Sequence, residues 1–122
     1  VTDVNESDVY RHAATVIVRD GKVVGGLTEQ GEDDDKLIDR SLAVCAIGAC
    51  HRAHYELYGE LPVNTNPDLT WAYEFRAIPP PGMYKIAPDE PRLIWAINDN
   101  RATTAEDIAL ILKKQALDVE GG

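Results

Sequence analysis

The sequence predicts a small, mainly helical single domain, or an α+β domain with minor strand content, of about four helices and one proline-rich irregular segment. Three observations predict it. The stretch Ser41 to Ala53, SLAVCAIGACHRA, is apolar, small and helix-patterned at once. All seven prolines fall between Pro62 and Pro91, which confines long helices to the two flanks of that segment. The length of 122 residues suits one domain spanning 1–122, with a core large enough to need no metal or disulfide staple.

The elements follow in order. Residues 1–6 read as a polar lead, with Ser7 as the expected N-cap and Asp8 in the first turn. Val9, Ala13, Val16 and Ile17 then recur at helical spacing, which predicts a helix over about 7–19. The run TVIVRDGKVV also carries a hairpin signal, a β-branched run broken by Asp20-Gly21. The Ala13-Ala14 pair and the i, i+4 spacing favour helix, with Gly21 as its stop. Lys22 to Leu27 is then a short extended segment, loosened by Gly25-Gly26.

Gln30 to Asp35, QGEDDD, reads as a polar loop. A core helix is expected from about Leu37 to Tyr58, stopped by Gly59, with Leu42, Cys45, Ala46, Ala49 and Ala53 as its inner stripe. Gly48 inside a helix costs about 1 kcal/mol relative to alanine, so its presence predicts a neighbour packed too close for a Cβ. Leu69, Trp71, Tyr73 and Phe75 alternate with polar or small residues in a strand pattern, whereas Asn66-Pro67-Asp68 would start a helix; both readings of 69–77 stand. Pro79-Pro80-Pro81-Gly82 is a turn or short polyproline piece. From Asp89 a helix is expected with Leu93, Ile94 and Ile97 inward and Trp95 to one side, broken by Asn98-Asp99-Asn100-Arg101. Thr103-Thr104-Ala105-Glu106 reads as a capping box for a last helix to about Leu117, with Ile108, Ile111, Leu112 and Ala116 inward.

Charge and composition exclude more than they assign. With 21 acidic and 12 basic side chains the chain carries −9, which disfavours direct nucleic-acid binding and suits a protein partner with a basic surface. No apolar run reaches the ~18 residues that span a bilayer, and the N-terminal VTDVNESD lacks the basic and apolar regions of a secretory signal. Cys45 and Cys50, five apart on one expected helix, point about 140° away from each other, so they are read as buried reduced thiols in a cytoplasmic setting.

Three pieces of the chain resemble a known family. They are Ala13-Ala14 with Gly21, the helix segment Cys45-Ala46-Ile47-Gly48-Ala49, and Trp95-Ala96-Ile97-Asn98-Asp99 followed by Arg101 and Thr103 to Asp107. Together they resemble an uncharacterised family of small proteins of actinobacteria and their phages, defined as a domain of unknown function. The chain departs from that pattern in placing Ala96-Ile97 between the tryptophan and Asn-Asp, and the resemblance does not extend over 60–90. It implies a fold and an actinobacterial or phage setting, and no activity or cofactor; the cytosol of a bacterial host is the reading the reduced thiols give.

Four constellations bear on chemistry. Cys45, His54 and Asp99 (or Asn98) are the residue types of a thiol hydrolase, which needs a thiolate, an imidazole to take its proton and a polar group to orient the ring. On one helix, however, Cys45 and His54 are nine residues and about 13 Å apart, so packing is the preferred reading of the cysteine. Cys50 with His54, or His51 with His54, supplies half of a zinc site without a second pair, so no metal is expected. Glu29 and Glu32 to Asp35 lack the ligand spacing of a calcium loop and read as a solvated acidic loop. Asn98-Asp99 reads as a turn whose side chains bond their own backbone.

The expectation is therefore a protein that works by protein–protein contact, with Trp71, Tyr73, Phe75 and Tyr84 of the irregular segment as its interaction residues. One concrete form is a phage accessory or host-modulating protein. The alternatives are a cysteine-dependent hydrolase using Cys45 and an acidic mimic of nucleic acid.

Overall fold

The computed structural model describes residues 5–62, 72 and 75–121. They hold five helices and one two-residue β-ribbon, a mainly helical fold with minor strand content as the sequence predicts. Trp71, Tyr73 and most of the 69–77 segment lie outside the described residues.

Helix α1, Glu6–Asp20, is the centre of the fold: it packs against both the central helix Ala46–Tyr58 and the C-terminal helix Ala105–Gly121. Val9, Tyr10, Ala13, Ala14, Val16 and Ile17 are all buried, and the two alanines let neighbouring helices come close. Its cap is Asn5 rather than Ser7. The Asn5 Oδ1 accepts the Asp8 N–H at 3.1 Å and the Ser7 hydroxyl at 2.7 Å, so the serine supports the cap from inside the first turn. Gly21, at φ +101°, ends α1 by donating its N–H to Ile17 at 2.9 Å. The hairpin reading therefore gives way to helix plus an extended segment. That segment pairs with Val44: Val23 N–H donates to the Val44 carbonyl at 3.0 Å, and Val44 N–H to the Gly21 carbonyl at 2.9 Å.

The core helix begins later than the sequence predicts. Only a short turn, α2 (Asp34–Leu37), precedes an irregular stretch, and α3 runs Ala46–Tyr58 with Cys45 as its N-cap. The cause is Arg52, which is fully buried on α3. Its guanidinium donates to the carbonyls of Leu37 (2.6 Å), Leu42 (2.8 Å) and Lys36 (3.1 Å) and to the Asp20 carboxylate (3.0 Å). The guanidinium thus holds both ends of the 38–42 stretch by carbonyls, in a path that is not helical. Asp39 Oδ1 accepting both Ser41 N–H and hydroxyl, and Glu29 accepting the Ala43 N–H at 2.9 Å, hold the same stretch out of helix. At the other end Gly59, left-handed at φ 80°, donates to Tyr55 at 2.8 Å, the stop the sequence predicts.

Strands β1 (Arg76–Ala77) and β2 (Arg92–Leu93) pair antiparallel, Arg76 opposite Leu93. Helix α4, Ile94–Asp99, follows directly. It starts five residues after Asp89 and ends after Asn98, which is fully buried within it rather than in the turn. Helix α5, Ala105–Gly121, buries Ile108, Ala109, Leu112 and Ala116 against α1, with Ile111 half-buried. Its capping box is shifted by one residue: Thr104 Oγ1 accepts the Asp107 N–H and Asp107 Oδ2 accepts the Thr104 N–H, both at 3.1 Å. Thr103, buried, instead donates its hydroxyl to the Ile97 carbonyl at 2.8 Å and ties α4 to α5. Among the described residues no helix is long and apolar enough to cross a membrane.

Candidate functional site

Among the described residues, the start of α3 holds the candidate chemical groups and the face of the β-ribbon holds exposed groups beside clefts.

The start of α3 is a sealed joint. Leu27, at the end of the glycine-loosened segment, accepts the Cys45 N–H on its carbonyl at 3.1 Å. Asn98 reaches across from α4: its Oδ1 accepts the Ala46 N–H at 2.9 Å, and its Nδ2 donates to the Val23 carbonyl at 3.0 Å. The Cys45 sulfur accepts the Gly48 N–H at 3.3 Å. Helix-start amides that would otherwise be orphaned are thus satisfied from within the protein. Lys22 closes the joint by donating its ammonium to the Asn98 carbonyl at 2.6 Å.

This placement decides how Cys45 behaves. A thiol at a helix N-terminus is normally made more acidic. Here burial, which leaves the residue 7% exposed, outweighs the Gly48 amide and raises the thiol pKa. Asp99 lies near enough to push it further in the same direction. Its own Oδ1 accepts the Gly25 N–H at 3.4 Å. His54 stands at the far end of α3, donating Nδ1–H to the Glu60 carbonyl at 2.7 Å with its ring against Tyr58. The structure therefore brings Asp99 toward Cys45 and leaves His54 at the opposite end of the helix.

The remaining sequence candidates are used in the scaffold. Cys50 is buried, and desolvation raises its thiol pKa. His51 is depressed to about 4, first by burial and then by His54. Among the described residues no three His, Cys, Asp or Glu side chains are grouped to hold a metal ion. Several carboxylates are tied down internally. Glu56 takes Arg19 at 2.7 Å and His12 at 2.8 Å, and these hydrogen bonds, Arg19 first, lower its pKa to about 2. Asp20, despite desolvation, is held below its ordinary range by Arg19 and Arg52. In the acidic loop Asp33 precedes α2, and Asp34 and Asp35 fill its first turn.

The ribbon face is different in kind. Alternation along β1 sends Phe75 and Ala77 inward, where both pack on the core and Phe75 meets Tyr10 edge-on at 5.1 Å. Arg76 and Ile78 are exposed. Arg92 is stacked over Tyr84, its Cζ 3.8 Å from the ring centroid, and donates to the carbonyls of Ile86 (2.9 Å) and Ala87 (3.3 Å). Two clefts adjoin here. One, of about 120 Å³, runs between β1 and α5, from Arg76, Ala77 and Ile78 to Ile111, Lys114 and Gln115. The other, of about 290 Å³, lies beside β2 and α4, with Tyr84, Arg92, Leu93 and Trp95 among its walls. Arg76 and Pro91 line both. Around them Trp95 is 47%, Ile78 49% and Ile86 84% exposed.

Of the sequence-predicted interaction residues, Phe75 is part of the lid over the core and Tyr84 lines the larger cleft, while Trp71 and Tyr73 lie outside the described residues. Sequence reasoning did not select Trp95, Ile78 or Arg76. The signal for Trp95 was its position off the Ile94–Ile97 stripe, which on a short helix leaves a large ring at the surface.

No curated protein and no solved structure matches this chain. A family model described as a family of unknown function, DUF6197, matches residues 1–117, and the chain belongs to that family.

Proposed function

We propose that this protein works by protein–protein interaction and that its ribbon face is the contact surface. The observation that carries the reading is the meeting of two clefts at Arg76 and Pro91, lined by exposed Trp95 and Ile78. Exposed aromatic and aliphatic side chains around preformed clefts, with arginines among them, are the composition of a binding surface. The burial of Cys45 and its distance from His54 leave the hydrolase alternative without an assembled thiol–imidazole pair. The carboxylates of Asp20, Glu56, Glu29 and Asp107 are engaged in hydrogen bonds within the chain, which leaves fewer unengaged for a phosphate-mimicking array. The setting we propose is the cytosol of an actinobacterium, with a phage accessory or host-modulating role as its concrete form, and the net charge of −9 favours approach to a partner with a basic surface.

The test is site-specific photocrosslinking in cells that express the chain. A crosslinker at Ala96, on the larger cleft, should give one discrete protein adduct that Trp95→Ala reduces. The same group at Arg40, on the loop before α3, should give none. Equal labelling from both positions, or none from Ala96, contradicts the reading.

A further inference from the structure

The hydrogen-bonding pattern of the ribbon says what kind of segment the β1 edge can take. Ile94 N–H donates to the Phe75 carbonyl at 3.1 Å, and the register places Arg76 opposite Leu93. Antiparallel pairs alternate between bonded and non-bonded. With Phe75 and Ile94 bonded, the Arg76–Leu93 pair is the non-bonded one, so the N–H and C=O of Arg76 point away from β2. Among the described residues neither group has a backbone partner. The smaller cleft adjoins this strand: three consecutive residues, Arg76 to Ile78, line it together with Pro91, which follows the register opposite Ile78. Its far wall is α5, at Ile111, Lys114, Gln115 and Asp118, with the Asp118 carboxylate paired to Lys114 at 3.3 Å.

Charge completes the argument. The Arg76 side chain is exposed and has no carboxylate partner among the described residues, unlike Arg11, Arg19 and Arg52. Resting on the interaction reading above, we infer that the β1 edge takes an extended segment of the partner protein as a third strand, with an acidic residue opposite Arg76 and an apolar residue two positions away against Ile78. Main-chain bonds to Arg76 supply the docking, and alternate side chains supply the choice. A second copy of this chain paired symmetrically about Arg76 is disfavoured, because it would set two guanidiniums directly opposite each other. The local preference for an acidic residue is compatible with a partner whose surface is basic overall: long-range charge governs approach, and the short contact governs register.

A random peptide library displayed on yeast, sorted against the 122-residue chain, tests this. Selected peptides should carry Asp or Glu with apolar residues at alternating positions. Their binding should fall about tenfold or more in Arg76→Glu and be largely retained in Arg76→Lys. Arg76→Glu should keep the unchanged melting curve of a variant at an exposed, unpaired site. Hydrogen exchange at the Arg76 amide should slow when a selected peptide is bound. Peptides without acidic residues, indifference to Arg76→Glu, no slowing at the Arg76 amide, or no binders at all would overturn the inference. The two readings separate cleanly: crosslinking from Ala96 without protection at Arg76 keeps the interaction surface and removes the added strand.

Discussion

The Leu27 carbonyl occupies the space that a Cβ on Gly48 would need. A Cβ built there would fall within 2.9 Å of the Leu27 carbonyl carbon and closer still to its oxygen, the same oxygen that accepts the Cys45 N–H. The obstruction is backbone, which cannot swing aside as a side chain would. Gly48→Ala should therefore lose about 1–3 kcal/mol or more through overpacking, against a helix-propensity gain of about 1 kcal/mol. Urea unfolding would measure it. A neutral or stabilising result would mean that the 25–28 segment does not sit on the start of α3.

Arg52 should be the most sensitive charged residue in the chain. It is fully buried and bonded to three carbonyls and Asp20. Arg52→Leu takes the guanidinium from the Leu37 and Leu42 carbonyls and leaves Asp20 with Arg19 alone, a loss of about 3–5 kcal/mol. Arg52→Lys should recover little of it, since an ammonium cannot serve four acceptors spread around a planar fork. Thermal melts of both variants check this, and a lysine variant close to the parent would refute the role given to the guanidinium.

Asn98 should behave as a core residue. Asn98→Ala orphans the Ala46 N–H and the Val23 carbonyl, at about 1–3 kcal/mol for each buried group left unsatisfied. Amide exchange at Ala46 should quicken in the variant more than exchange in the middle of α5. Uniform quickening, or none, would place Asn98 in the turn role that sequence alone suggested.

Stability should fall in two steps on acidification. His51 is held neutral in the fold, its pKa lowered from 6.5 to about 4, so the unfolded chain binds the proton first and stability declines as pH drops through that window. Glu56 is lowered from 4.5 to about 2, chiefly by Arg19, so its contribution is present above 4.5 and is lost as pH falls toward 2. His51→Gln should flatten the upper step and leave the lower one. Denaturant midpoints across pH test this, and an unchanged upper step in the variant would contradict it.

Much of the scaffold was legible. Helix α1, the stops at Gly21 and Gly59, the close approach at Gly48 and the inward residues of α5 all follow from local periodicity and backbone chemistry, which a single sequence carries. What was not legible depends on distant partners. The start of α3 was displaced because Ser41 and Leu42 continue a helical pattern that Arg52, Asp39 and Glu29 override by taking backbone groups for themselves. Cysteine is an unusual N-cap, so Cys45 gave no boundary signal. Asn98 looked like a turn former because asparagine usually is one; its spacing of four from Ile94, inside an apolar stripe, was the available hint of burial. The capping box slipped by one because two threonines in a row offer two registers, and only Asp107, three after Thr104, distinguishes them. The ribbon face was half visible: Tyr84 was selected for its aromatic ring, whereas Arg76 gains its meaning from an edge that exists only once β1 pairs with β2.

The account rests on the start of α3 being a closed joint, with function placed on the ribbon face. Iodoacetamide labelling of the native protein at neutral pH, followed by peptide mapping, tests that most directly. Cys45 and Cys50 should both stay unmodified until denaturant unfolds the chain, in keeping with their burial and raised pKa values. Rapid modification of Cys45 in the folded protein would contradict the account and return the thiol to the centre of the function.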